Sequence, residues 1–219
     1  MSKKVLPYTP WKARGLWSFE PKSLLVLLLG LSLLGMGEAM LVLGNLGAAP
    51  WVVFAQGLAL QTGMNVGVTT FIISAGVMLL WIPLRLRVGF GTIANMVVIA
   101  LVLGLIIRFV PPPAADAWLL RGALCVGGVC MVGIAATLYM TCHMGAGPRD
   151  GLMIGICHKT GWRVGVVRSL LESTVCLIGW ALGGTLGVGT LLFAFGVGWV
   201  VQWSLFVLER CFAQSIVSV

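Results

Sequence analysis

The sequence predicts an all-α membrane protein with six transmembrane helices, arranged as two inverted three-helix repeats. The mean hydropathy is +1.06, and 59% of the 219 residues are hydrophobic while 9% are charged. These proportions suit a chain whose solvent is lipid, and they exclude a soluble domain. The second observation is an internal repeat, because residues 47–92 align without a gap on residues 145–190, with 15 identities in 46 positions. The matched glycine, proline and threonine residues indicate two structural repeats.

The first repeat, residues 23–110, contains three predicted spans and one shorter helix. About 20 apolar residues are needed to cross the hydrocarbon core. The spans are expected at residues 23–43, 65–82 and 89–109. Small residues at 44–49 interrupt the first helix, and Pro50 then suits a first helical position. The helix expected over residues 50–60 is too short to cross, so it is a half-helix that either lies in the interface or dips into the bundle.

A proline-rich segment, residues 111–117, breaks the helix and separates the repeats as an external linker. The second repeat, residues 118–208, follows the same order as the first. Its spans are expected at residues 118–140, 164–182 and 191–208. A second half-helix is expected over residues 148–159. Because each repeat has an odd number of spans, the second repeat must cross the membrane in the opposite orientation.

The distribution of positive charge predicts that both termini are cytoplasmic. With the N-terminus inside, 12 lysine and arginine residues fall on the cytoplasmic side or in the inner part of a span, and Arg108 and Arg121 fall outside. Such an excess marks the cytoplasmic face. Residues 1–22 then form a basic cytoplasmic tail, too polar to suit a cleaved signal peptide, and residues 209–219 form a second tail. This topology explains the net charge of +8, so we expect no nucleic-acid partner.

The starts of the two half-helices are the first candidates for a binding site. A helix that begins at membrane depth presents unpaired N–H groups and a partial positive charge, and matched helix breaks in two repeats are typical of a central substrate site. The expected solute-binding residues are Gly47, Pro50, Trp51, Gly147, Pro148, Arg149 and Asp150. Arg149 offers a guanidinium fork to a carboxylate or phosphate, and Asp150 complements the helix dipole. Alternatively, the half-helices only pack the bundle, and these two charges serve capping and topology.

Three further ionisable residues lie inside predicted spans, where charges are costly unless they are paired or hydrated. Arg168 and Glu172 are four residues apart on one helical face and can form an ion pair. That pair is either a structural lock or a contact that opens when a solute or a proton arrives. Glu38 has no obvious basic partner, so it suits proton coupling, unless it pairs with Arg108, Arg121 or a backbone amide.

Other residue types indicate membrane packing rather than chemistry. The tryptophans near predicted helix ends suit an aromatic belt at the membrane interfaces: Trp51, Trp81, Trp118, Trp162, Trp180 and Trp203. The six cysteines form no CxxC pair, and His143 and His158 have no acidic cluster beside them. We therefore expect no metal site and no cofactor. No nucleophile motif is visible, so an enzyme is not expected.

The second repeat resembles a known family of membrane proteins. The motifs are Gly145-x-Gly147-Pro148-Arg149-Asp150-Gly151-Leu152, Thr160-Gly161-Trp162, Arg168-x-x-x-Glu172 and Gly179-Trp180-x-Leu182-Gly183-Gly184-x-x-Gly187-x-Gly189-Thr190. They are similar to the second half of the YczE/YyaS/YitT group, nearest the YczE branch. The likeness extends over about residues 23–208 and includes Leu46-Gly47-x-x-Pro50-Trp51, although Val52 stands where the group would have an aspartate. The resemblance implies a polytopic protein of the bacterial inner membrane.

The leading functional hypothesis is a small secondary transporter with its site between the half-helices. Its expected partners are the lipid bilayer and a small anionic or zwitterionic solute, with Glu38 or Glu172 as the residues that would couple transport to protons. The alternative is a non-transporting accessory protein that assists a partner enzyme or exporter. A channel is less favoured, because the spans offer few polar residues for a continuous lining. Glycine-rich spans permit close helix contacts within one chain or in a homodimer.

Overall fold

Helices provide the regular structure of residues 9–213, the part of the chain that the computed structural model describes. They are α1 (Pro21–Gly44), α2 (Pro50–Thr62), α3 (Val66–Leu79), α4 (Trp81–Leu84), α5 (Phe90–Phe109), α6 (Trp118–Thr141), α7 (Pro148–Thr160), α8 (Val164–Ala181) and α9 (Val188–Ala213). Six segments are long and apolar enough to cross a membrane: α1, α3 with α4, α5, α6, α8 and α9. The chain is therefore a multi-pass membrane protein. The outer parts of both expected tails, residues 1–8 and 214–219, lie outside the described residues.

The short helices α2 and α7 begin and end at matched residues. Each has 13 residues and starts with a proline, which needs no hydrogen bond from its nitrogen at that position. Each ends at a glycine in the left-handed conformation, Gly63 with φ of 70° and Gly161 with φ of 73°. Glycine adopts this conformation without a Cβ clash, so it terminates the helix. Both helices extend slightly beyond the predicted ranges.

The helices α1 and α6 lie at the centre of the bundle and run antiparallel to each other. Gly30 of α1 packs against the backbone at Tyr139 of α6, and Gly37 packs against the backbone at Gly128. A Cβ atom on Gly37 would lie 2.8 Å from Cγ2 of Val132. Glycine at these positions therefore allows the two helices to approach closely.

Matched backbone hydrogen bonds join the two halves of the chain. The N–H of Gly91 donates to the carbonyl oxygen of Met144 at 2.9 Å, and the N–H of Gly189 donates to the carbonyl oxygen of Leu46 at 2.7 Å. Each pair of equivalent residues is 98 positions apart. The start of α5 is thus tied to the break before α7, and the start of α9 is tied to the break before α2. These close backbone contacts explain why both repeats have glycine at the starts of α5 and α9, at Gly91 and Gly189.

The halves differ in the packing of their last two spans. In the first half Gly67 of α3 lies against the backbone of Ala100 and Gly104 of α5, and Nδ2 of Asn65 donates to the carbonyl oxygen of Gly104 at 3.4 Å. In the second half α8 and α9 make at most marginal contact, and α8 packs along α2 instead. Gly165, which matches Gly67, is exposed, and a Cβ atom there would meet nothing within 4 Å.

The tryptophans near helix ends fall into two groups. Four are exposed on the bundle surface, as an aromatic belt requires: Trp118, Trp162, Trp180 and Trp203. The belt prediction is wrong for Trp51 and Trp81, which are buried. The indole N–H of Trp81 donates to the carbonyl oxygen of Pro148 at 3.0 Å, and its ring covers Gly151. A buried indole that finds an acceptor is stable between helices, so interface anchoring is not needed there.

Arg121 is a buried cation that caps the C-terminal end of α1. Its guanidinium donates to the carbonyl oxygens of Gly44 at 2.9 Å, Asn45 at 2.8 Å and Ala115 at 3.0 Å. A positive charge at this end of a helix also complements the macrodipole. Arg121 therefore donates its hydrogen bonds to backbone groups, and it is not the partner of Glu38.

Replacing Arg121 with alanine is expected to lower the free energy of unfolding by about 3 kcal/mol, because buried carbonyl groups lose a charged donor. Chemical unfolding in detergent, followed by circular dichroism, measures the change. Arg108→Ala is the matched control, since Arg108 is exposed at the end of α5 and its removal should leave the stability close to that of wild type. Similar losses in both variants would contradict the capping role.

Candidate functional site

A cavity of about 140 Å³ lies between the N-terminal ends of α2 and α7. Pro50 and Trp51 line it from α2, and Gly147, Arg149 and Asp150 line it from the start of α7. The partial positive charges of two helix N-termini therefore face one space. A cavity of roughly 150 Å³ accommodates a molecule the size of benzene, about six non-hydrogen atoms. The site suits a small polar solute.

The cavity brings together eight of the ten residues that the sequence singles out: Glu38, Pro50, Trp51, Gly147, Arg149, Asp150, Arg168 and Glu172. Gly47 and Pro148 lie outside its lining. Gly47 has φ of 116° and packs so tightly against Thr190 that a Cβ would lie 2.7 Å from Oγ1. Pro148 contributes the carbonyl oxygen that binds Trp81. Both residues therefore shape the starts of the half-helices from behind the cavity.

Arg149 of α7 forms an ion pair with Glu38 of α1. Nη1 of Arg149 donates to Oε1 of Glu38 at 3.2 Å, and the guanidinium carbon lies 5.5 Å from the centre of the Trp51 ring, within cation–π range. Glu38 is 3% exposed. Its partner is thus a residue 111 positions away, and neither Arg108 nor Arg121.

Two buried oxygen atoms of the cavity wall have no hydrogen-bond partner among residues 9–213: Oε2 of Glu38 and Oγ1 of Thr70. Thr70 is 2% exposed. A buried polar atom without a partner costs about 1–3 kcal/mol. Two residues of the cavity wall, Glu38 and Thr70, therefore each hold one oxygen atom that no group of residues 9–213 pairs.

Asp150 is held in place by Tyr139 of α6. The phenol O–H donates to Oδ2 of Asp150 at 2.5 Å, and Tyr139 is buried. Asp150 also lies in the first turn of α7, where a carboxylate complements the helix dipole. The carboxylate is therefore a fixed part of the wall.

Arg168 and Glu172 of α8 also line the cavity. Nε of Arg168 donates to Oε1 of Glu172 at 2.9 Å, and the two side chains are 52% and 27% exposed. The matched positions of the first half hold Thr70 and Ser74, which are buried. The charged pair is therefore more exposed than its counterparts in the first half. Three carboxylates and two guanidinium groups line the cavity in all, a formal net charge of −1.

Comparison of the sequence with known proteins identifies a family and a related membrane protein. Residues 21–205 match a family described as "Family of unknown function (DUF6198)". The chain belongs to this family. It is 48% identical over 212 residues to an uncharacterized protein of Haemophilus influenzae, with 96% of each chain covered. It is 33% identical over 202 residues to the uncharacterized membrane protein YczE of Bacillus subtilis, covering 86% of this chain and 85% of YczE.

These matches confirm the resemblance to the YczE branch that the sequence motifs indicate. No solved structure matches the chain. All ten singled-out residues lie inside the matched range of 21–205.

Four polar residues of the cavity are not among the predicted site residues: Thr70, Ser74, Asn95 and Tyr139. Tyr139 is one of two tyrosines in the chain, and Asn95 lies in the apolar helix α5. The amide of Asn95 packs over Gly147, where a Cβ would lie 3.1 Å from Nδ2. Tyr139 and Asn95 are polar residues inside membrane spans, where a polar group needs a partner. That rule is the signal by which the sequence could have indicated them. The remaining wall is mainly apolar and includes Leu34, Met96, Ile99, Ala136 and Phe193.

The loop before α7 is anchored by a buried cysteine. The thiol of Cys142 donates to the carbonyl oxygen of Leu138 at 3.4 Å, and the N–H of Ala13 donates to the carbonyl oxygen of Cys142 at 3.0 Å. Burial raises the pKa of the Cys142 thiol to about 12. Burial, with the positive charge of Lys12 in second place, lowers the pKa of the adjacent His143. Both side chains are thus kept uncharged near neutral pH.

Cys142 is expected to resist maleimide in the folded protein at neutral pH, because the thiolate is the reactive form and a raised pKa keeps the thiol protonated. Labelling of a single-cysteine variant that retains Cys142 should be about 100-fold slower or more than labelling of one that retains the exposed Cys211. Unfolding in denaturant should remove the difference. Equal rates in the folded state would show that the loop is open.

Proposed function

We propose that the protein is a small secondary transporter that carries a small anionic or zwitterionic solute across the bacterial inner membrane. The convergence of both half-helix N-termini on one polar cavity supports this proposal most strongly. Discontinuous helices that meet in the interior of a bundle are how many transporters bind their substrates. Charged groups inside membrane spans are costly, and they are commonly retained along solute pathways.

In this proposal the two repeats are inverted, and both termini are cytoplasmic. The antiparallel packing of α1 and α6 supports the inversion, since these helices are the first spans of the two repeats. The reciprocal hydrogen bonds at Gly91 and Gly189 support a pseudo-two-fold relation. The excess of positive charge on one side supports the orientation. Transport would then proceed by rocking of one repeat against the other.

The unequal packing of the two halves supports alternating access. The repeat with α3 packed on α5 is closed at Gly67, whereas the repeat with α8 apart from α9 is open at Gly165. Repeats of similar sequence can exchange such arrangements. The opposite-facing state would therefore have α8 packed on α9 and α3 separated from α5. If transport is coupled to protons, Glu38 or Glu172 would bind the proton, because both residues line the cavity.

A thermal-shift screen of the purified protein in detergent tests the binding site. Small carboxylates, phosphate and small amino acids are the compounds to compare, with wild type and Arg149→Ala measured side by side. Stabilisation by one compound class that disappears in the variant would support the site, and uptake of that compound by proteoliposomes would support transport. If no compound stabilises folded wild type and none is taken up, the transporter hypothesis is refuted. Pull-down experiments would then test whether the protein is an accessory protein with a partner.

A further inference from the structure

The ion pair between Arg149 and Glu38 uses only part of each group. A guanidinium has five N–H donors, and within residues 9–213 the side chain of Arg149 donates one hydrogen bond, to Oε1 of Glu38. Oε2 of Glu38 has no partner in the same range. The pair therefore keeps unused donors on Arg149 and an unused acceptor on Glu38, and both residues line the same cavity.

We propose that the solute is a small zwitterion with one carboxylate and one ammonium group. Its carboxylate binds the free N–H groups of Arg149 beside the N-terminal end of α2, and its ammonium group binds Oε2 of Glu38. Oγ1 of Thr70, also without a partner among residues 9–213, is a second acceptor for the ammonium group. This assignment rests on the proposed transport site and specifies its substrate class.

The charges of the cavity favour a zwitterion over an anion. Three carboxylates and two guanidinium groups line the cavity, so an anionic solute would add a second net negative charge to the site, whereas a zwitterion adds none. An anion would also leave Oε2 of Glu38 without a partner. A simple cation would leave the donors of Arg149 unused. A zwitterion is the class that satisfies both sides of the ion pair.

The two half-helices differ in whether their first turn carries an acidic residue. This difference indicates where the carboxylate of the solute binds. Asp150 occupies the first turn of α7, so the dipole of that helix already has a negative partner. The first turn of α2 has no acidic residue, and its N-cap residue, Ala49, makes no side-chain cap. The first turn of α2 therefore has no negative group of its own, and a solute carboxylate can supply one.

The volume of the cavity suits a compact zwitterion. The guanidinium of Arg149 contacts Glu38 at 3.2 Å and lies 5.5 Å from the Trp51 ring centre. The acceptor of Glu38 and the Trp51 ring at the start of α2 thus both lie within about 6 Å of one guanidinium group. The cavity of about 140 Å³ suits about six non-hydrogen atoms, the size of alanine.

Calorimetric titration of the full-length protein in detergent tests the inference with four probes. L-alanine and β-alanine carry both charges, propionate lacks the ammonium group, and ethylamine lacks the carboxylate. At least one of the two amino acids is expected to bind about 100-fold more tightly than propionate or ethylamine, because each charged contact contributes on this scale. Propionate or ethylamine binding as tightly as the amino acids would overturn the inference, and so would no detectable binding of any of the four.

Two variants assign the two charges of the solute. Glu38→Gln keeps the shape of the side chain and should weaken amino-acid binding about 100-fold while propionate binds at least as well as to wild type. Arg149→Ala should weaken the binding of both amino acids and propionate but spare ethylamine. Amino-acid binding that survives in both variants would overturn the assignment. Amino-acid binding without uptake in proteoliposomes would refute transport alone, and uptake of propionate without amino-acid binding would refute the zwitterion alone.

Discussion

Replacing Arg149 with alanine is expected to reduce solute uptake by proteoliposomes about 100-fold or more. The guanidinium contacts Glu38, faces the Trp51 ring and lines the cavity. The substitution therefore removes the main donor from the proposed site. It also leaves Glu38 buried without its partner, which by itself destabilises a protein. A loss of uptake could thus come from unfolding, so a second variant is needed.

The double variant Arg149→Ala, Glu38→Gln separates the two effects. It removes both charges, so its thermal stability should lie closer to that of wild type than the stability of the single variant does. Its uptake should stay as low as in Arg149→Ala. Arg163→Ala is the control for general charge loss, because Arg163 is exposed at the start of α8. Near-normal uptake by the double variant would exclude a solute-binding role for Arg149.

The sequence locates the half-helices well because their limits depend on local backbone preferences. Pro50 and Pro148 cannot lie in a helix interior without losing a hydrogen bond, and Gly63 and Gly161 adopt a conformation that other residues avoid. These preferences hold whatever surrounds the segment. The same signals placed the residues of both helix starts at one candidate site, and most of these residues line the cavity.

The contacts inside the cavity depend on tertiary packing and could not be predicted in the same way. Glu38 meets Arg149 because α7 approaches α1 beside its antiparallel partner α6, and no spacing along the chain encodes that meeting. Tyr139 binds Asp150 across the loop that joins α6 to α7, and the path of that loop is also set by packing. Trp81 shows a related limit, because its position at the end of a span suggests an interface anchor and only the approach of α7 buries it.

The substitution Gly67→Leu is expected to destabilise the fold, whereas Gly165→Leu is expected to leave the fold stable and to impair transport. A Cβ atom at Gly67 would lie 2.3 Å from the carbonyl oxygen of Ala100, so Gly67→Leu must force α3 away from α5. Overpacking of this kind costs about 3 kcal/mol or more. Gly165 has no neighbour within 4 Å, so Gly165→Leu should leave the thermal stability near that of wild type.

Gly165→Leu should nevertheless reduce transport. In the proposed opposite-facing state α8 packs against α9 at Gly165, as α3 packs against α5 at Gly67 in the first half. A leucine there would hold the two helices apart, and uptake should fall about 10-fold or more, since overpacking of 1–3 kcal/mol acts on one state alone. Wild-type uptake by stable Gly165→Leu would refute the exchange of packing between the halves. Low stability of Gly165→Leu with normal stability of Gly67→Leu would show instead that α8 and α9 are the pair in close contact.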